Sequence, residues 1–487
     1  MSYLKAVRRS WGGLMLAAMT IAYVAVFSAT TLNNYNRLWY GNFDLGISDQ
    51  GIWLLSRLEN PYLTTRGLHL FGDHASYVSI LVAPLYWLWD DAKALIILHT
   101  IALAAGAPLI FAIAKRKTGS VAASSALALS YLMYPPLHYT NLDSGYHAES
   151  LAVPLILLAY LMLIEKRWGA YFITTLLALA CKEEIVAPVF LFGLYITAFS
   201  KERRIGLLTS AMAVLYAIIV AAVIFPYFAG TQYQNTFHAN KAFGYMGPTL
   251  TDKVGSLTNA SLLWGRAYTD KNIEYVNDIL APVAYLPALS PAFYAAGNLY
   301  INILSTWAYT HEIRYHYVTP IIPLVYIALA NLVGHLRGRK RLLAAASIVL
   351  VAAALWGNWE TGHEDVSLKY PERILENLRN PDQTPDRIRD LRIMLDDIPA
   401  NASVSASYDI VPQLSHRRTI YMYPNPFQTE YYGIDNLQKP PDMKPDYLAI
   451  DSDLNPNERH IIGNFTENRD YTLIGRTGQF ELYKRDA

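Results

Sequence analysis

Five short polar groups interrupt an otherwise apolar chain, and their residue types suit acid–base chemistry and anion binding. FDLGISDQ at 43–50 carries Asp44 and Asp49, preceded by Arg37 and Trp39. A carboxylate there is either a helix cap or part of a functional site. GDH at 72–74 sets Asp73, a natural cap, beside His74, a base or a metal ligand. LDSGYHAE at 142–149 gathers Asp143, His147 and Glu149 in one loop, where they could hold a cation or a phosphate–metal unit. Lys182-Glu183-Glu184 is wedged between two apolar runs and is either a tight exposed turn or part of a site. HEIRYHY at 311–317 combines His311, Arg314, Tyr315, His316 and Tyr317. Arg with His suits a phosphate, and the plainer alternative is a snorkelling Arg in an aromatic belt. Each group alone has a structural explanation. Together they put carboxylates, imidazoles, a Lys and an Arg on one membrane surface, which suits a substrate with an anionic, lipid-anchored part and a polar part to be transferred.

The elements that must position them are membrane helices. Of 487 residues, 53% are hydrophobic and only 16% charged, well below the charged share of about 25% in a soluble domain. A net charge of +1 gives no field for nucleic acid. Apolar runs at 11–31, 92–114, 119–134, 148–164, 168–181, 185–199, 205–227, 276–290, 292–309, 316–335 and 342–359 predict about eleven spans. The run after Lys5, Arg8 and Arg9 exceeds a signal-peptide core and reads as a retained first helix with a cytoplasmic N-terminus. The basic clusters 115–117, 166–167, 201–204 and 337–341 then fall inside, and the polar segments 32–91 and 228–275 fall outside. This holds only if 74–89, with Pro84, Trp87 and Trp89, lies along the outer interface instead of spanning. The lone Cys181 excludes an intrachain disulfide.

The expected organisation is a transmembrane domain over 1–359 and an extracytoplasmic domain over 360–487. In the tail, DRIRDLRIMLDDIP reads as an amphipathic helix, and SVSAS, RTIYMYP, DYLAID, YTLIG and FELYKR read as strands. That pattern predicts a small α/β domain with a doubly wound sheet. The sequons at Asn259, Asn401 and Asn464 all fall on the predicted outer side.

FDLGISDQ at 43–50, GDHASY at 72–77, YHAES at 146–150, CKEE at 181–184, YHYVTPIIP at 315–323 and SVSASYDIVPQLSHRRTIYMYP at 403–424 resemble a bacterial and archaeal family of predicted membrane proteins carrying a domain of unknown function. That family is similar to the GT-C superfamily of membrane glycosyltransferases. The resemblance implies a mainly α polytopic bundle with membrane-parallel helices in the first outer loop. It implies transfer of a sugar from a polyprenyl-phosphate donor to a glycan, lipid or protein acceptor on the outer face, with inversion. It makes Asp44 the general base and Asp49 the second candidate. Lys182, Arg314, His316, His74 and Tyr317 would hold the substrate and its phosphate. Asp44, Asp73, His147 and Glu149 could take a divalent cation, Mg or Mn. Where some GT-C enzymes carry paired adjacent acids, this chain has Asp44 and Asp49 five positions apart, which leaves a metal open.

The other reading is a transporter or flippase for a lipid-linked or anionic solute. Transporters place polar groups near the bilayer midplane and show internal repeats. Here the groups sit at outer helix ends and no repeat is evident, which favours the enzyme.

Overall fold

In a computed structural model, residues 11–230, 238–361, 374, 379, 385–433, 436 and 438–486 are described. Lys5, Arg8 and Arg9 lie outside the described residues. Five helices are long and apolar enough to cross a bilayer: Gly12–Asn36, Lys93–Thr118, Arg203–Ala229, His316–Gly334 and Lys340–Glu360. The most apolar stretches of Lys93–Thr118 and His316–Gly334 are 67% and 78% buried, against 22% for the other three, so two helices form the bundle's interior and three its lipid-facing rim. Shorter apolar helices, among them Val121–Leu132, Glu149–Ile164, Trp168–Leu179 and Val186–Phe199, fill the bundle where spans were expected. Helices Val186–Phe199 and Arg203–Ile219 approach through small residues: a Cβ on Gly206 would meet the Thr197 backbone nitrogen at 2.5 Å.

Two expected spans take another form. Segment 276–290 is the end of helix Asp270–Leu280 followed by short turns, and segment 292–309 contains the eight-residue helix Gly297–Leu304. Eight residues rise only about 12 Å. Pro282, Pro287 and Pro291 each remove a backbone donor and stop a continuous helix. The 74–89 stretch holds no helix long enough to cross a bilayer. Val78–Val82 and Ala83–Trp87 are five residues each, and Ile80, Leu81, Trp87 and Leu88 stay exposed, as in a helix lying on a membrane surface.

The tail forms a five-stranded sheet in the order β4-β3-β5-β7-β6. Its strands are β3 (Val404–Ala406), β4 (Ile420–Met422), β5 (Tyr447–Asp451), β6 (Tyr471–Thr477) and β7 (Phe480–Arg485); a two-stranded ribbon of β1 (Tyr62–Leu63) and β2 (Leu68–His69) precedes them in the first outer loop. All five expected strands form, and helices Asp386–Asp396 and Pro456–Glu467 cover opposite faces. Along β5 the pleat sends Ala449 to one core and Leu448 and Ile450 to the other. The sheet departs from the doubly wound expectation at one edge. β4, β3 and β5 run parallel, but β7 pairs antiparallel with both β5 and β6. Only Gly478, in a left-handed conformation, and Gln479 separate β6 from β7, and so short a link can join only antiparallel strands. The tail's core also takes in Leu38 and packs against Phe43, both from the segment between helices Gly12–Asn36 and Lys93–Thr118.

Candidate active site

Asp44 owes its position to a tight approach between the first long loop, which follows helix Gly12–Asn36, and the tail. A Cβ on Gly41 would lie 1.9 Å from the Tyr408 ring, so only glycine lets the chain pass. A single wide helical turn, Asn42–Gly46, then buries Leu45 and runs into helix Ile47–Ser56. Asp44 stays 36% exposed and opens onto a cavity of about 870 Å³. His74, His147, Glu149, Lys182 and His316 line the same cavity, with Asp73 and Tyr317.

Glu149, the first residue of helix Glu149–Ile164, is the hub of this wall and is only 1% exposed. It accepts a hydrogen bond from Lys182 Nζ at 2.9 Å. His147 Nδ1 and His316 Nε2 each lie 3.8 Å from the same carboxylate oxygen. The two imidazoles stack with centroids 3.6 Å apart. Asp143 accepts the His316 backbone N–H at 3.0 Å and sits 3.3 Å from its Nδ1. On the opposite side of His147, Nε2 is 3.5 Å from Asp44 Oδ1 and, among the described residues, makes no hydrogen bond. His74 Nδ1 pairs with Glu183 Oε1 at 2.8 Å, and Glu183 also accepts the Ala75 N–H at 3.0 Å.

Burial and crowding of like charges set the proton affinities. Although its side chain is 36% exposed to the cavity, the surrounding protein displaces enough water that desolvation, and then the Asp143 charge, pushes Asp44 up to about 7. Burial likewise pushes Asp143 up to about 7. Burial and the neighbouring His316 hold His147 neutral, well below its ordinary range. Burial opposes charge on His74, yet Glu183 raises its pKa above the usual value. Burial also opposes charge on Lys182, which Glu149 nonetheless holds firmly protonated. The site thus combines a carboxylate whose pKa is raised to about 7 with a protonated lysine and an imidazole whose pKa Glu183 raises.

Two sequence candidates lie elsewhere. Asp49 is fully buried and saturated: Oδ1 accepts from Tyr86 and from His416 Nε2 at 3.2 Å, and Oδ2 accepts from Ser415. It is not among the described residues lining the cavity. Arg314 pairs with Glu312 at 2.5 Å, lies over the Tyr315 ring and is also off that lining. In its place the cavity has Arg66, which the sequence did not single out. Arg66 is buried, with Nε 3.6 Å from Asp73.

The tail docks against the motif that carries Asp44. His416 Nδ1 lies 2.9 Å from Asp90 while Nε2 reaches Asp49. Arg418 makes a two-pronged pair with Glu59 at 2.7 Å. Gln50 donates to Arg417 O at 3.3 Å, and Thr64 exchanges hydrogen bonds with the Ile420 backbone. HRR at 416–418 therefore meets the DQ of FDLGISDQ.

A cation would find Asp44, His147 and His316, whose donor atoms all lie within 4.8 Å of one another, with His147 Nε2 free of any hydrogen bond among the described residues. Two nitrogens and one carboxylate suit Mn or Zn better than Mg. Asp73 and Glu149 already face Arg66 and Lys182.

A family model described as predicted membrane protein (DUF2079) matches residues 34–482. No curated protein sequence matches the chain. The fold is similar to two crystal structures of ArnT from Cupriavidus metallidurans. The one bound to undecaprenyl phosphate has a TM-score of 0.56 at 10% identity and covers 98% of each chain. The apo structure has a TM-score of 0.55 at 11% identity, covering 95% of this chain and 98% of that one. At 10–11% identity the likeness is one of fold. The chain belongs to the DUF2079 family of predicted membrane proteins.

Proposed function

We propose that this DUF2079 protein is a membrane glycosyltransferase that moves a sugar from a polyprenyl-phosphate donor to an acceptor hydroxyl on the extracytoplasmic face, with its N-terminus cytoplasmic and its tail domain outside. The observation that carries this reading is the sharing of one cavity by the Asp44 carboxylate, the His74 imidazole and the Lys182 ammonium, with burial pushing the Asp44 pKa up to about 7. A base works best with a pKa near the operating pH. The acceptor oxygen attacks the anomeric carbon and its proton passes to Asp44. The bond from that carbon to the phosphate oxygen breaks with inversion, and the electron pair leaves on the lipid phosphate. Lys182 and His74 stabilise the charge that grows there, with Arg66 behind them. Asp49 acts at a distance, by fixing the loop that presents Asp44. A cation held by Asp44, His147 and His316 would supply Lewis-acid stabilisation, and Asp44 would then serve as its ligand and not as the base. Likeness to a fold seen with undecaprenyl phosphate supports the choice of donor.

The test is transfer from a panel of polyprenyl-phosphate sugars by purified wild type and Asp44→Asn. Wild type turns over at least one donor and the variant does not. Full turnover by a folded variant removes Asp44 as base. Failure of wild type with every donor, together with flux of a lipid-linked sugar across proteoliposomes, favours the flippase.

A further inference from the structure

The tail brings an aromatic side chain beside Asp44 that neither proton transfer nor phosphate binding uses. Tyr431 is 54% exposed, and its ring meets Phe43 edge-on with centroids 5.3 Å apart. Phe43 directly precedes Asp44, and both rings line the cavity. Tyr431 is held there by buried machinery. Its backbone is left-handed at φ 52°, a conformation that costs energy for a bulky residue and persists only when its surroundings impose it. Arg66 imposes it: Nη1 donates to the carbonyl oxygens of Tyr431 at 2.6 Å and Gly433 at 3.0 Å, and the Gly433 N–H returns a bond to Arg66 O at 2.7 Å. Ser48 and Asn436 line the same cavity and add a hydroxyl and an amide. A fixed aromatic face bordered by hydrogen-bonding groups matches a sugar ring, whose C–H face is apolar and whose rim carries hydroxyls.

We infer that Tyr431, braced by Arg66 and backed by Phe43, is a platform for a sugar ring in the Asp44 cavity, so that the tail contributes a specificity-determining residue. This rests on the transferase reading above. The ring belongs to the donor or to a saccharide acceptor, which share this chemistry.

The test is saturation-transfer NMR of full-length protein in detergent with a set of methyl pyranosides, alongside undecaprenyl phosphate binding as a separate readout. At least one pyranoside takes up saturation in wild type. Its affinity falls by about tenfold in Tyr431→Ala, the size expected for one lost aromatic contact, and is kept in Tyr431→Phe. Tyr431→Leu carries the same reading should Tyr431→Ala fail to fold. Displacement of the pyranoside by a polyprenyl-phosphate sugar, but not by undecaprenyl phosphate, assigns the ring to the donor. Persistence under both assigns it to the acceptor. Displacement by undecaprenyl phosphate alone overturns the inference, as does absence of saturation with every pyranoside or equal affinity in wild type and Tyr431→Ala. Such a failure with undecaprenyl phosphate still bound leaves the transferase reading standing. Loss of undecaprenyl phosphate binding by wild type counts against that reading instead.

Discussion

Asp44 and Asp49 stand on one motif, yet the two carboxylates live in opposite environments. Asp44 opens onto the cavity, 3.5 Å from an imidazole nitrogen with no hydrogen bond among the described residues. Asp49 is buried under Tyr86, Ser415 and His416. The same contrast holds between the two regions they belong to. Around Glu149 the charges converge on open space; in the joint between first loop and tail, similar residue types satisfy one another. A charged motif in this chain is therefore divided between chemistry and architecture, and what separates the two is whether a side chain, paired or not, borders the cavity.

The cavity wall should be the more fragile region. Lys182→Ala leaves the buried Glu149 carboxylate unpaired and should cost about 3–5 kcal/mol, seen as a drop in Tm together with lost binding of undecaprenyl phosphate. A variant that kept both would show that the pair does not organise the wall. Asp49→Ala should cost less, about 1–3 kcal/mol for the partners it strands, while undecaprenyl phosphate binding by the folded protein persists. If Asp49→Ala instead abolished lipid binding and left Tm untouched, the contrast between the two regions would collapse.

The joint should also answer to pH. Burial works against the charged form of His416, but Asp49 and Asp90 raise its pKa above the ordinary 6.5. A group raised on folding contributes stability that is full below its unfolded pKa and is lost as pH rises through the folded value. The Tm difference between wild type and His416→Asn should thus be largest below pH 6.5 and shrink on the alkaline side. A difference that grew with pH would contradict the pairing. The smallest effect is expected from Arg314→Ala. The Arg314–Glu312 pair is about a third exposed, so its loss should cost about 0–1 kcal/mol and leave undecaprenyl phosphate affinity close to wild type.

Much of this was legible from residue types and spacing. The five tail strands and the short helices of the 74–89 stretch follow from local pattern, because pleat alternation and segment length are short-range properties. Segment 276–309 misled, since an apolar run reads alike as one long helix or as short helices stopped at Pro282, Pro287 and Pro291. Asp49 misled for another reason: its partners Ser415 and His416 lie more than 360 positions away, so spacing within the motif could not tell it from Asp44. Arg66 was invisible on the same grounds. Its bonds run to Tyr431 and Gly433, and TTRGLH has no local feature that announces them.

The most direct measurement sets binding against chemistry in Asp44→Asn. Undecaprenyl phosphate affinity and sugar transfer should be measured on the same purified protein. The account predicts wild-type affinity with transfer reduced by about 10²–10⁴-fold, the range of general-base catalysis. Retained transfer would contradict it, and so would a parallel loss of binding and transfer, which would make Asp44 part of the lipid site and not the base.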